Sequence, residues 1–236
     1  FVATITSGLQ AQGDLRFGFQ MSPTFGWMTT NNNLINSDGT NLGLKMGLMA
    51  EFYFRDNYSF STGINFQLNA GGTLFYEDSF EEVNIWQDDI DGVSEFDFTG
   101  GNSFKYDLQY VEIPFGLTLR TREFGYLRYY VQPLFTLGFL TQSRGKVNNS
   151  PDVDSEESFD IGTATNAFNL GWGLGAGVEY SISESTALVG GIAFQSGFAD
   201  VTKDKNTSLT RSGRMPTEDD SLGKINAIVI RLGLMF

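Results

Sequence analysis

The chain of 236 residues has no cysteine, no histidine and only five prolines. The lack of cysteine excludes disulfide staples, thiolate metal sites and a cysteine nucleophile. The lack of histidine removes the commonest general base and the commonest transition-metal ligand. No stretch approaches the ~18 continuous apolar residues of a transmembrane helix, so helical membrane spans are excluded. Basic residues are scarce as well: 15 Lys and Arg stand against 28 Asp and Glu, a net charge of -13. That balance argues against nucleic acid as a partner, because phosphate contacts need a basic surface.

What the chain does contain is 14% aromatic residues and 28 glycines. Such a profile suits many strands, with small residues where the backbone is crowded. The mean hydropathy of -0.15 would suit a soluble protein, but a barrel whose inward and outward residues cancel gives the same average.

Period-two alternation runs through the chain. Leu15, Phe17, Phe19, Met21, Phe25 and Trp27 share one face of a first strand, opposite Arg16, Gly18, Gln20, Ser22, Thr24 and Gly26. Residues 42–54 and 58–69 form two more strands joined at Arg55-Asp56-Asn57, and Lys45 and Glu51 lie on the polar face. Over 106–120, Val111, Ile113, Phe115, Leu117 and Leu119 share a face opposite Glu112 and Arg120. Tyr106, Leu108 and Tyr110 fall out of phase with that apolar set, which predicts a bulge or a protruding end. A fifth strand follows over 127–139, with Arg128 on its polar face. In the sixth, Phe168, Leu170, Trp172, Leu174, Ala176, Val178 and Tyr180 alternate with Asn169, four glycines and Glu179. The seventh carries Leu188, Ile192, Phe194 and Phe198. The eighth, 228–236, puts Ile228, Ile230, Leu232, Leu234 and Phe236 on one side and Arg231 on the other. It is expected to pair with the seventh and the first strand and so close a ring.

Between these strands, polar stretches at 29–41, 71–105, 143–166 and 200–222 alternate with tight turns. Long connections on one side, short ones on the other and an even strand count are the plan of an outer-membrane barrel. Strands of about twelve to fourteen residues exceed the usual ~5–6 of soluble sheets and match a bilayer crossing. The faces agree. If the aromatic set pointed inward, eight strands would crowd it into a lumen just wide enough for ordinary side chains. The glycine, serine and asparagine set would then make an exterior sparse in charge. The expected fold is all-β: an eight-stranded antiparallel up-and-down transmembrane β-barrel with short periplasmic turns and long extracellular loops.

In that fold Arg16, Lys45, Arg120, Arg128 and Arg231 share the lumen with Glu51, Glu112 and Glu179. Charges there persist only when paired or hydrogen-bonded, which predicts an internal salt-bridge network that plugs the barrel, with Arg231 directed at the carboxylates. Porin activity is not expected of so narrow a barrel. No catalytic residues, cofactor or metal ligands are predicted. Histidine-dependent outer-membrane hydrolases are excluded, and no carboxylate pair is singled out. The run Asp88-Asp89-Ile90-Asp91-Gly92 fails the EF-hand pattern, because Gln87 and Phe98 occupy the first and twelfth positions. The acidic loops remain an alternative site for a ligand or divalent cation. At the N-terminus, residues 1–12 are mildly apolar with small residues at Gly8 and Ala11, as a signal-peptide remnant or a tail would be. The barrel is expected to occupy 13–236.

Tyr110-Val111-Glu112-Ile113-Pro114-Phe115-Gly116-Leu117, followed by a short turn and a strand carrying Gln132-Pro133, resembles the PorT-like outer-membrane β-barrel proteins of Bacteroidetes. The glycine-rich aromatic first strand and the C-terminal aromatic are similar too. The resemblance implies the outer membrane of a Gram-negative bacterium, a surrounding of outer-membrane lipid and a non-enzymatic role. It further implies an anchor or subunit of a larger secretion, gliding or assembly complex, with protein partners at the extracellular loops or the barrel wall. It also implies that Phe236 is a recognition signal for the barrel-assembly machinery.

Overall fold

A computed structural model describes residues 15–86, 98–151, 153–203 and 207–236. The expected N-terminal segment 1–12 and the Asp88-Asp89-Ile90-Asp91-Gly92 run lie outside the described residues. The strands are β1 (Leu15–Thr29), β2 (Ile35–Arg55), β3 (Tyr58–Tyr76), β4 (Phe80–Asn84), β5 (Ser103–Arg120) and β6 (Leu127–Asn148). They continue with β7 (Phe159–Asp160), β8 (Phe168–Ser181), β9 (Ala187–Gly197), β10 (Ser208–Arg211), β11 (Thr217–Glu218) and β12 (Lys224–Met235). No helix occurs among the described residues.

Eight strands form a ring in the order β1, β2, β3, β5, β6, β8, β9, β12, every neighbouring pair antiparallel. Closure runs through β1 and β12, where Phe19 faces Leu234 and Phe25 faces Ile228. Below them Phe17 and Phe236 exchange two backbone hydrogen bonds of 3.0 and 2.8 Å. A closed ring leaves no unpaired edge, as a lipid environment requires.

The outward face is apolar. Phe17, Leu48, Phe66, Phe115, Phe135, Leu174, Ile192 and Leu232 stand exposed, one on each ring strand in turn, while Gln20, Lys45, Glu51, Asn65 and Glu112 are buried. Tyr58, Phe124, Tyr126, Tyr129 and Tyr180 ring the short-turn end on the outside. At the opposite end Trp27 and Trp172 both pack on Phe194, at 6.3 and 5.9 Å between ring centroids. These two aromatic girdles bound the membrane-spanning band. On β6 the boundary is visible within one strand: Tyr129, Val131, Phe135 and Phe139 are outward, and above them come Thr141, Arg144 and Lys146.

The polar stretches are less loop-like than the sequence predicts. Most of 29–41 and parts of 71–105 and 143–166 are upward continuations of β2, β3, β5 and β6. Their pairing reaches Ile35 with Tyr76 and Ser103 with Asn148. Two bulges sit where these strands leave the membrane. One lies between Gln67 and Ala70 in β3, the other opposite Gln109 and Tyr110 in β6. Asn69 occupies the first with φ of 54°, a left-handed conformation that asparagine tolerates, and its Nδ2 donates to the Leu42 carbonyl at 2.8 Å. β5 itself keeps one phase throughout. Tyr106, Leu108 and Tyr110 are inward residues, buried like Glu112 below them; the bulges predicted near them belong to the neighbouring strands.

Above the membrane the inward residues are large and apolar, and they form a second core. Leu74, Tyr76, Phe104, Tyr106, Leu108 and Val147 from the strands meet Phe80, Val83, Trp86, Phe98, Ile161 and Val201 from the connections. Trp86 packs edge-on against Phe104 and Tyr106, each at 5.1 Å, the geometry favoured by aromatic quadrupoles. A small sheet in the order β11–β10–β4 ties the segment 80–84 to 208–218. The extracellular connections thus build a folded cap.

Candidate functional site

The membrane-level lumen is filled by polar side chains from all eight ring strands, arranged in tiers. The lowest tier centres on Arg120, whose side chain is fully buried. Its Nη2 donates to Glu51, its Nε to Glu179 Oε1 at 2.8 Å and its Nη1 to Ser59 Oγ at 2.6 Å. The guanidinium also lies over the Tyr53 ring at 4.9 Å. Tyr53 donates its hydroxyl to Glu51 Oε2 at 3.1 Å and accepts from Arg16 Nη1 at 3.3 Å. One cation thereby satisfies two carboxylates, the arrangement that makes buried charge tolerable.

The next tier is neutral except for one cation. Gln132 Nε2 donates to Ser61 Oγ at 2.7 Å and Thr118 Oγ1 at 2.9 Å, and its Oε1 accepts from Arg231. Arg231 rests over the Tyr130 ring at 5.6 Å. Higher still, Lys45 Nζ lies 2.6 Å from Glu112 Oε2 and donates to Gln195 Oε1 at 2.8 Å. Gln20 donates to Asn65 Oδ1 at 2.6 Å, and Gln67 to Thr24 Oγ1 at 2.9 Å.

Of the eight charged residues predicted for the lumen, five therefore meet in ion pairs there: Arg120 with Glu51 and Glu179, and Lys45 with Glu112. The other three differ. Arg231 points inward but meets Gln132 and Tyr130, because Arg120 and Lys45 already occupy the three carboxylates. Arg128 sits at the short-turn mouth, its side chain a third exposed, and pairs with Glu123 on the turn at 3.1 Å. Arg16 lies at the same mouth and contacts Tyr53, with no carboxylate within 4.0 Å among the described residues. The uncharged members Ser59, Ser61, Thr118, Gln132 and Gln195 were legible only as polar residues of inward phase.

Chemically, this interior is built to hold itself together. Among the described residues the spaces left between the tiers include two cavities of about 50 Å³ each, room for a few water molecules. The short-turn mouth opens, among the described residues, into a vestibule of about 830 Å³ lined by Arg16, Tyr53, Arg55, Glu123, Arg128 and Glu184. At the far end the apolar cap core closes the lumen. Among the described residues, no three Asp or Glu side chains converge as a metal site.

Outside the membrane band the Asp219 carboxyl is displaced from its ordinary ionisation. Burial pushes Asp219 up, hydrogen bonds from Ser221 oppose this, and the nearby Asp220 and Asp200 carboxylates add to the rise.

A ring of eight strands, an apolar exterior between two aromatic girdles and a polar interior together make a membrane barrel. A family model described as "Outer membrane protein beta-barrel domain" matches residues 10–203. The chain belongs to that family. It resides in the outer membrane, surrounded by its lipid. A comparison with curated proteins finds no match. Among solved structures this outer-membrane barrel is similar to the Neisserial surface protein A, at 11% identity and a TM-score of 0.46, over 93% of this chain and 95% of that chain. It is similar also to Ail, the attachment invasion locus protein of Yersinia pestis, at 11% identity and 0.42, over 94% and 99%. The outer membrane protease OmpT from Escherichia coli matches at 10% identity and 0.44, over 95% and 96%. At such identities and scores these structures say nothing of this barrel's task.

Proposed function

We propose that the protein is a non-enzymatic outer-membrane anchor, a subunit of a larger assembly that presents its extracellular cap to a protein partner. One observation carries this: the lumen is packed with polar groups most of which bond to one another, the Tyr130 hydroxyl and Asn169 Oδ1 being exceptions, and it is closed above by an apolar core, so the built surface of the molecule is the cap. A barrel with cavities of only about 50 Å³ at its centre is poorly suited to conduct solutes. A connection region with its own hydrophobic core is suited to hold a fixed surface, since ordering is prepaid before a partner arrives. Ion pairs among Arg120, Glu51, Glu179, Lys45 and Glu112 serve, on this reading, as a rigid filling.

The resemblance of the Tyr110–Leu117 segment to PorT-like proteins supports the same direction, toward a secretion, gliding or assembly complex. Phe236 is the residue that the barrel-assembly machinery would read during insertion. Affinity purification from native membranes in mild detergent tests the proposal. A protein recovered in stoichiometric amount with the barrel, and lost when the cap is disrupted, is expected. Recovery of the intact barrel alone would overturn it.

A further inference from the structure

On the extracellular side, the turn joining β1 to β2 faces the β10–β11 hairpin and the segment leading into β12. Between them lies a groove of about 490 Å³ walled by Asn31, Asn32, Asn33 and Leu34 on one side and by Arg211, Asp220 and Ser221 on the other. Its walls are tied together. Asn31 Oδ1 accepts from the Leu222 backbone N–H at 2.7 Å, which clamps the two sides of the groove to each other. Asn32 Oδ1 accepts from the Leu34 N–H at 3.1 Å, and Asn32 N donates to Thr30 Oγ1 at 3.2 Å. The Arg211 guanidinium is supported over the Phe80 ring at 5.4 Å, and Phe80 belongs to the cap core.

These bonds consume the amide oxygens of Asn31 and Asn32 and leave their Nδ2 donors without a protein partner among the described residues. The Asn33 side chain, the Arg211 guanidinium (apart from the Phe80 ring beneath it) and the Asp220 carboxylate likewise have no hydrogen-bond or ion-pair partner among the described residues. The groove thus gathers several planar donors and one charged acceptor, on a frame that does not have to be ordered on binding. Its volume falls within the ~300–1,000 Å³ of small-molecule sites.

The mixture of signs decides the ligand chemistry. A bare anion would be attracted by Arg211 but repelled by Asp220 and by a chain of net charge -13. A bare cation would meet Arg211. Neighbouring hydroxyl groups both donate and accept, and so satisfy asparagine amides, a guanidinium and a carboxylate at once. We infer that this groove binds a short saccharide through Asn33, Arg211 and Asp220. The site goes beyond the anchoring role and does not depend on it. Two sources offer such chemistry on this side of the membrane: the sugar core of lipopolysaccharide in the same leaflet, or a soluble glycan.

The test is an NMR titration of the protein in nanodiscs with three probes: delipidated lipopolysaccharide core oligosaccharide, intact rough lipopolysaccharide, and inorganic phosphate. Saccharide-dependent shifts at 31–34, 211 and 220 are expected, with the apparent affinity reduced about tenfold by Asn33→Ala and by Asp220→Ala. Both variants alter exposed side chains, and an unchanged heat-dependent gel mobility confirms that each is folded. Binding of the free oligosaccharide as tight as that of the intact glycolipid assigns a soluble glycan. Groove shifts with the intact glycolipid alone assign the membrane's own. Absence of groove shifts with either saccharide, the same shifts with phosphate alone, or unaltered affinity in both variants would overturn the inference.

Discussion

Arg120 and Glu179 lie 59 positions apart in the chain and on non-adjacent strands, yet they meet across the lumen through an Nε to Oε1 hydrogen bond of 2.8 Å. The same guanidinium holds Glu51, so removal of Arg120 strands two buried carboxylates. Replacing it with methionine is expected to lower stability by about 3–5 kcal/mol, the range for breaking a buried pair from one side. Replacing all three residues with neutral ones of similar volume should recover most of that loss. Urea unfolding in lipid vesicles measures both, and a single variant as stable as the parent would contradict the tier's role.

Tyr130 fits against glycine. A Cβ at Gly177 would stand 2.8 Å from the Tyr130 hydroxyl oxygen, and one at Gly191 would stand 2.6 Å from it; the two glycines are paired across β8 and β9. Gly177→Val forces the ring or the backbone to move and is expected to cost about 1–3 kcal/mol. Lowering of the temperature at which the folded band disappears on a gel is the readout.

Asp219 gives the cap a pH response. Its folded ionisation lies above its ordinary value because of burial first, with Asp220 and Asp200 contributing. A raised carboxyl binds its proton more tightly in the folded state. Its stabilising contribution is therefore present below the unfolded value of about 3.9 and is lost as pH rises through the folded one. Hydrogen-exchange protection around 207–222, taken relative to the intrinsic exchange rate at each pH, should accordingly be greater at acidic pH than at neutral pH. Asp219→Asn, which keeps an acceptor for the Ser221 N–H (3.1 Å in the parent), should remove the difference.

Phe236 contributes to closure through its backbone, which exchanges hydrogen bonds with Phe17 whatever the side chain. Phe236→Ser is expected to reduce the amount of barrel reaching the outer membrane severalfold while leaving the denaturation midpoint of the inserted fraction nearly unchanged. Quantitative blotting of membrane fractions beside unfolding of the purified barrel separates the two effects. Normal membrane levels would refute the assembly role.

The barrel was legible because a strand that faces lipid on one side and lumen on the other writes its register as strict alternation. β8, with Trp172, Leu174 and Tyr180 outward and glycines and Glu179 inward, shows this most clearly. Inward phase also picked out the five charges that pair in the lumen, but it placed Arg16 and Arg128 there as well, and they lie at the short-turn mouth. It could not assign partners, which depend on stagger across strands that are not neighbours; Arg231 was therefore expected at a carboxylate that Arg120 already holds. The cap was illegible for a different reason. Trp86 and Phe98 sit outside any alternation, Phe104 shares the out-of-phase set of Tyr106, Leu108 and Tyr110, and only the upward extension of β3 and β6 past their bulges, with β5 between them, brings the three together.

The most direct test of the central claim, a filled barrel closed by its cap, is conductance of the purified protein in a planar lipid bilayer. A sealed lumen predicts no stepwise openings at any applied potential the bilayer survives. Regular, ion-carrying steps from the parent protein would contradict a filled and capped barrel, and with it the anchor role.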